Sequence, residues 1–134
     1  MSSISEVVNY LQSAGVMYLA SYDGEKPHVR PVGFIMEYKE KLYLTTGIGG
    51  NIYNDLHKNN HFELAAMHPS LPMHRIRVSG KADFHVPQDA VEKYFELNPA
   101  MKDIPGTCLY ELADWSAIIY EGPTERREVS QNED

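Results

Sequence analysis

The chain has 134 residues, 43% of them hydrophobic, which suits one globular domain with a single core. Its net charge is −7, and the one Arg-Arg pair, Arg126-Arg127, is flanked by Glu125 and Glu128, so we expect no nucleic-acid partner. No apolar run approaches ~20 residues, the N-terminus does not resemble a signal peptide, and the single cysteine excludes an internal disulfide. These features predict a cytoplasmic protein without a membrane partner.

The N-terminal segment predicts an amphipathic helix. Apolar residues recur at helical spacing from Ile4 to Leu11 in SISEVVNYLQSAG. Ser3 or Ser5 is a suitable N-cap, and Gly15 is a suitable C-terminal stop. We therefore expect one helix before the first strand.

Three strands are predicted next, and they read VMYLASY, HVRPVGFIMEY and LYLTT. Their connections, DGEKP and KEK, are too short for crossovers, and Asp-Gly is a strong hairpin signal. An antiparallel meander is the expected arrangement.

The second half alternates helices with strands. NIYNDLHKN predicts a short helix with Asn51 as N-cap, and PQDAVEKYFEL predicts a helix opened by Pro87. Three further strands are predicted in HFELAAMH, in RIRVSGKADFHV with a bend or bulge at Gly80, and in WSAIIYEG. The fold class is thus mainly β (α+β), a six-stranded antiparallel barrel with short flanking helices, because closure removes exposed edges. We assign residues 1–122 to this domain and 123–134 to an acidic, mobile tail.

The segment LTTGIGGNIYNDL joins a predicted strand to a predicted helix through three glycines. Gly47, Gly49 and Gly50 can direct their amides toward one point, and a helix N-terminus follows. Hydroxyl donors come from Thr45 and Thr46. A phosphate site and an ordinary turn explain this segment equally well.

Other catalytic signals are weak. His57 and His61 are four residues apart, but Asn59 and Asn60 should end the helix between them, so we expect no metal site. The sequence has no G-x-S-x-G motif, and a lone cysteine such as Cys108 is usually a small core residue.

Three segments together carry a family resemblance. They read YLASYDGEKPHVRPVGFIMEYKEKLYLTTG, NIYNDLHKNNHFELAAM and RIRVSGKADF, within about Val7 to Tyr120. Their order and spacing resemble the pyridoxamine 5′-phosphate oxidase-like family of FMN-binding split barrels. The resemblance implies a split-barrel homodimer with two FMN sites at its interface and a small-molecule substrate, with NAD(P)H as a candidate electron donor.

The resemblance also implies site residues. The residues that it places along the flavin and its phosphate are Arg30, Pro31, Val32, Gly33, Thr45, Thr46, Gly50, Asn51 and Arg75. The family usually supplies a basic residue where Gly50, Asn51 and Ile52 stand, and this chain has none there. Arg30 is then the candidate for the missing charge. For Trp115, core packing is the commoner role, and proximity to the partner's flavin is the alternative.

The implied function is an FMN-binding oxidoreductase of unknown substrate, for example a flavin or nitroimidazole reductase. The sequence lacks the longer C-terminal region that completes the pyridoxine-phosphate site of the true oxidase, so we do not expect vitamin B6 synthesis. Two alternatives stay open: a non-enzymatic flavin- or ligand-binding protein, and a haem or deazaflavin binder on the same fold.

Overall fold

The computed structural model describes residues 2–131, which contain three α-helices and eight strands. The helices are α1 (Ser3–Ala14), α2 (Asn51–Lys58) and α3 (Gln88–Leu97), and a 3-10 turn at Pro99–Asp103 follows α3. The strands are β1 (Met17–Tyr22), β2 (Pro27–Val32), β3 (Met36–Tyr38), β4 (Lys41–Gly47), β5 (His61–Met67), β6 (His74–Asp83), β7 (Thr107–Glu121) and β8 (Arg126–Ser130).

All strand pairings described are antiparallel, and the order is β2-β1-β5-β6-β7-β4-β3, with β8 paired to β7. Leu19 of β1 and Leu44 of β4 belong to one buried cluster, although their strands lie near opposite ends of this order. The sheet therefore curls around a common core, which α1 enters with Val7 and Leu11. The predicted α+β barrel class is confirmed, with eight strands instead of six.

Both predicted hairpins form, β1 with β2 and β3 with β4, but they lie at opposite ends of the strand order and do not make one continuous meander. The second predicted strand is divided into β2 and β3, and β4 pairs with β7 at the far side of the sheet. Pro31 lacks a backbone N–H. Among the described strands β2 has only β1 as a neighbour, so it forms a sheet edge, where proline is tolerated.

The last part of the sheet is larger than predicted. Strand β7 begins at Thr107, eight residues before the predicted WSAIIYEG strand. The sheet also continues past residue 122, because Arg126–Ser130 forms β8 and pairs with β7. This strand begins with three charged residues, RRE, so it lacks the apolar alternation from which strands are predicted. Residues 132–134 of the predicted tail lie outside the described residues.

The helix caps differ from the prediction in two places. Ser2, and neither Ser3 nor Ser5, caps α1 by accepting a hydrogen bond from the amide of Ser5 at 3.3 Å. Gly50, and not Asn51, is the N-cap residue of α2. The predicted stop at the end of α1 is confirmed, since Gly15 has φ +83°.

Candidate functional site

Helix α2 contacts two strands, β1 and β4, which are not neighbours in the sheet. Leu56 is buried in the core, and Ile52 packs against the same cluster. The helix begins directly after the glycine turn, and its first residue, Asn51, is exposed. The core contacts of α2 therefore fix the direction in which its N-terminus points.

The glycine turn leaves the first amides of α2 free. The amide of Gly50 bonds to the carbonyl of Gly47 at 3.0 Å, and Asn54 donates to the carbonyl of Gly50 at 2.9 Å as the first helical bond. The amides of residues 51–53 have no acceptor within the helix, and no side chain caps α2. Thr45 and Thr46, at the end of β4, are half-buried beside this turn. The arrangement offers hydrogen-bond donors to an anion.

Arg30 reaches α2 from the neighbouring strand β2. Its Nη1 donates to Oδ2 of Asp55 at 2.9 Å and to Oγ of Ser21 at 3.3 Å. Ser21 also donates to the same Asp55 oxygen at 2.9 Å. Asp55 and Ser21 are both buried, so the three side chains form an internal network that ties α2 to the β1–β2 hairpin.

This network balances the charge of Arg30. The hydrogen bond from Arg30 lowers the pKa of Asp55, outweighing burial, which acts in the opposite direction. Asp55 is the only charged residue between Leu44 and Leu56. The turn itself therefore offers amides, hydroxyls and the positive end of the helix dipole, and the charge of Arg30 is matched by that of Asp55.

The other predicted site residues, on β2, β6 and β7, do not lie together within one protomer. Pro31 and Gly33 are exposed at the β2 edge of the sheet, with Val32 half-buried between them. Arg75 lies on the outer face of the sheet, with its guanidinium carbon 3.9 Å from the ring centroid of Tyr120. Trp115 is only 2% exposed and belongs to the core. Its ring cannot stack on a surface ligand, and its proximity to a partner's flavin stays a prediction.

The outer face also carries an open groove of about 560 Å³ across β1, β5, β6 and β7. Its polar lining includes His61, Glu63, Lys81 and Asp114. Among the described residues, no group of three or more His, Cys, Asp or Glu side chains is arranged to hold a metal ion.

Sequence reasoning missed the partners of two arginines. Asp55 is 25 residues from Arg30, and Tyr120 is 45 residues beyond Arg75, so no local pattern joins either pair. The one signal in the sequence is spacing: Asp55 lies three residues after Ile52, which packs against the core, so both fall on neighbouring positions of one helix face.

The fold defines the protein class, an antiparallel split barrel with flanking helices. A family model described as pyridoxamine 5′-phosphate oxidase matches residues 4–128, and the chain belongs to this family. No curated protein matches the sequence at a significant level. No helix in residues 2–131 is long and apolar enough to cross a membrane.

Several solved structures share the fold. A NimC/NimA family protein from Clostridium acetobutylicum has a TM-score of 0.84 and 23% identity, covering 95% of this chain and 91% of that one. General stress protein 26 from Bacillus anthracis has a TM-score of 0.70 and 16% identity, covering 94% and 98%. A heme-binding protein from Mycobacterium smegmatis has a TM-score of 0.73 and 17% identity, covering 98% of this chain but 59% of its own. At identities this low, the similarity establishes a shared fold and nothing more.

Proposed function

We propose that this protein is a cytoplasmic, homodimeric oxidoreductase that binds FMN and acts on a small molecule. Membership of the pyridoxamine 5′-phosphate oxidase family supports the flavin. A flavin supplies hydride transfer by itself, so the protein need only hold and orient it. This agrees with the absence of an acid–base constellation in the sequence.

The observation that carries the proposal is the uncapped N-terminus of α2 behind the glycine turn. The amides of residues 51–53, with the hydroxyls of Thr45 and Thr46, would hold the phosphate. Arg30 would add a charged hydrogen-bond donor while remaining bonded to Asp55, which balances its charge. Residues 31–33 of β2 and its following turn would lie along the rest of the flavin, and Arg75 would approach from the partner chain.

The first test is the absorbance spectrum of the purified protein. Flavin bands, with FMN released on denaturation and identified by mass, would support the proposal. A colourless protein that takes up neither FMN nor riboflavin would contradict it and leave a non-enzymatic ligand-binding role. NADH and NADPH oxidation with several acceptors would then test for catalysis.

The second test addresses the phosphate site directly. Replacing Asn51 by lysine adds a full charge at the first residue of α2, where the helix presents its free amides. A charged hydrogen bond is worth roughly 1.5–3 kcal/mol, so Asn51→Lys should tighten FMN about ten- to a hundredfold. Riboflavin has no phosphate, and its affinity should change little.

The matched control is Asn51→Gln, which keeps a neutral amide at the same position. Affinities can be measured by flavin fluorescence in titrations of each variant. Equal tightening of FMN and riboflavin, or no tightening of either, would show that the phosphate binds elsewhere.

Haem binding is a second candidate because a heme-binding protein shares the fold. Its low identity carries no ligand over to this chain, and deazaflavin stands as a further possibility on the same barrel. A Soret band in the purified protein, or haem uptake in preference to FMN, would favour the haem alternative.

A further inference from the structure

The connection between β5 and β6 is organised by a single histidine side chain. Nδ1 of His68 accepts hydrogen bonds from the amide of Ser70 at 3.1 Å and from the amide of Leu71 at 3.0 Å. The connection reads HPSLPM, and its two prolines have no backbone N–H, so His68 holds two of the three amides that follow it. We call residues 68–73 the histidine loop.

These two hydrogen bonds fix the protonation state of His68. A ring nitrogen that accepts a hydrogen bond carries no proton, so the ring is neutral and its proton is on Nε2. In the charged ring both nitrogens are donors, and the proton on Nδ1 would point at two amide N–H groups. The closed loop and a charged His68 therefore exclude each other.

The rest of the histidine loop has few contacts that could hold it without these bonds. The amide of His68 donates to the carbonyl of His74 at 2.9 Å, which closes the base of the loop. Met73 has φ +68°, a conformation that residues with a side chain rarely adopt. The side chains of Leu71 and Met73 are exposed and bury little apolar surface. The shape of the loop tip therefore depends on Nδ1 of His68.

Helix α1 offers no free carboxylate to a charged His68. The ring of Tyr10 meets the ring of His68 edge to face, with 5.6 Å between the centroids. Glu6 lines the same crevice of about 280 Å³ between α1 and the loop. Arg127 already binds Glu6 through both carboxylate oxygens. The charge of Glu6 is therefore balanced before His68 takes up a proton.

The sheet side of the loop is equally unfavourable to a positive charge. The ring of His74 lies 5.9 Å from the ring of His68, and Arg75 donates to the carbonyl of Met73 at 3.0 Å. Glu121 is the register partner of His74, but Arg127 donates to it at 2.7 Å. Within residues 2–131, the charged groups facing His68 thus do not compensate the two hydrogen bonds that its protonation would break.

We propose that the histidine loop is a pH-sensitive switch, closed on α1 while His68 is neutral and released when His68 is protonated. Histidine changes its charge between about pH 5 and pH 8, so the switch would work in the physiological range. The neutral ring stabilises the closed loop, and this stabilisation is lost as pH falls. Release of the loop opens the crevice beside Tyr10 and frees the amides of Ser70 and Leu71 to solvent.

The experiment measures amide hydrogen exchange by NMR in the full chain, from about pH 8 to about pH 5. Rates are expressed as protection relative to an unstructured peptide, which removes the pH dependence of exchange itself. In the wild type, protection of the Ser70 and Leu71 amides should fall about tenfold or more as pH is lowered, because each loses its acceptor. Leu64, in the central strand β5, is the internal reference and should stay protected.

Two variants of His68 separate its hydrogen bonds from its charge. In His68→Asn the amide oxygen is attached to Cγ, as Nδ1 is, and it can accept the same two backbone amides without titrating. This variant should keep the loop protected at every pH. His68→Ala has no acceptor and should leave the loop unprotected at every pH. The control is His85→Asn, which removes an exposed histidine elsewhere and should retain the wild-type transition.

The neighbouring histidine needs its own variant, His74→Gln, which should also retain the transition. The proposal is overturned if wild-type loop protection is the same at both ends of the pH range, or if His68→Asn loses protection in acid as the wild type does. Loss of the transition in His74→Gln would assign the sensor to His74 and overturn it as well. If Leu64 loses protection together with the loop, the whole barrel unfolds in acid and there is no local switch.

Discussion

At the scale of single residues, Gly80 has the least room for a side chain among the glycines of the chain. The β6–β7 register shifts between Ser79 and Lys81, which confirms the predicted bulge. A Cβ on Gly80 would stand 2.6 Å from the carbonyl oxygen of Ala113 and 3.2 Å from the Cα of Trp115. Both atoms belong to the backbone, so they cannot move away as a flexible side chain would.

Gly80→Ala should therefore destabilise the protein. We expect a loss of about 1–3 kcal/mol in the free energy of unfolding, typical of overpacking in a closely packed interior. Gly33→Ala is the control, because a Cβ there has no neighbour within 4 Å. Urea denaturation of both variants measures the difference. Equal stability of the two would mean that β6 and β7 separate at the bulge without cost.

At the scale of secondary-structure elements, the pair formed by Arg30 and Asp55 joins β2 to α2. Asp55 is 5% exposed, so removing its partner leaves a buried carboxylate with only Ser21 bonded to it. Arg30→Gln should lower the free energy of unfolding by about 3 kcal/mol near neutral pH. Lys93→Gln, which breaks a 3.8 Å pair with the exposed Glu96, should have little effect.

The same variant tests the pKa of Asp55. Arg30 lowers that pKa below its ordinary value of 3.8, so the pair stabilises the fold above pH 3.8. The stabilisation disappears as pH falls through the lowered pKa and Asp55 is protonated. The stability difference between wild type and Arg30→Gln should be constant near neutrality and shrink below pH 3.8. A difference that stays constant into acid would show that the ion pair is not its source.

Local signals explain which elements could be predicted. Helix α1 has regular apolar spacing and Gly15, and the first hairpin has Asp-Gly, so each is encoded within a few residues. Pairing of β4 with β7 joins Thr46 to Cys108, a contact that no local pattern specifies. The glycine turn of the candidate site was visible in the sequence. The bond between Arg30 and Asp55 was not, because it depends on how α2 packs across the barrel.

At the scale of the whole molecule, the outer face of β1 and β2 is unusually apolar for a surface. Tyr18 is 49% exposed, Tyr22 41% and Val29 68%. The register pairs Val29 with Ala20, which lies between the two tyrosines, so the three side chains form one patch. A contiguous apolar patch of this kind usually marks an interaction site.

We predict that this patch lies in the homodimer interface. The interface should bury about 2,000 Å² or more in total, the range of obligate dimers, compared with 7,703 Å² of accessible surface on one described protomer. Light scattering at micromolar concentration should give the mass of a dimer. Val29→Lys and Tyr18→Lys should each shift it toward the monomer, because the charge would be buried without a partner.

The control for this prediction is Ile104→Lys, which changes an equally hydrophobic residue that is 52% exposed away from the patch and should leave the dimer intact. A wild-type protein with monomer mass would contradict the prediction outright. A dimer that survives both patch variants would place the interface on another face. If the flavin site is shared between chains as proposed, the patch variants should also weaken FMN binding in proportion to the monomer formed. Ile104→Lys should not, because only loss of the partner chain removes half of the shared site.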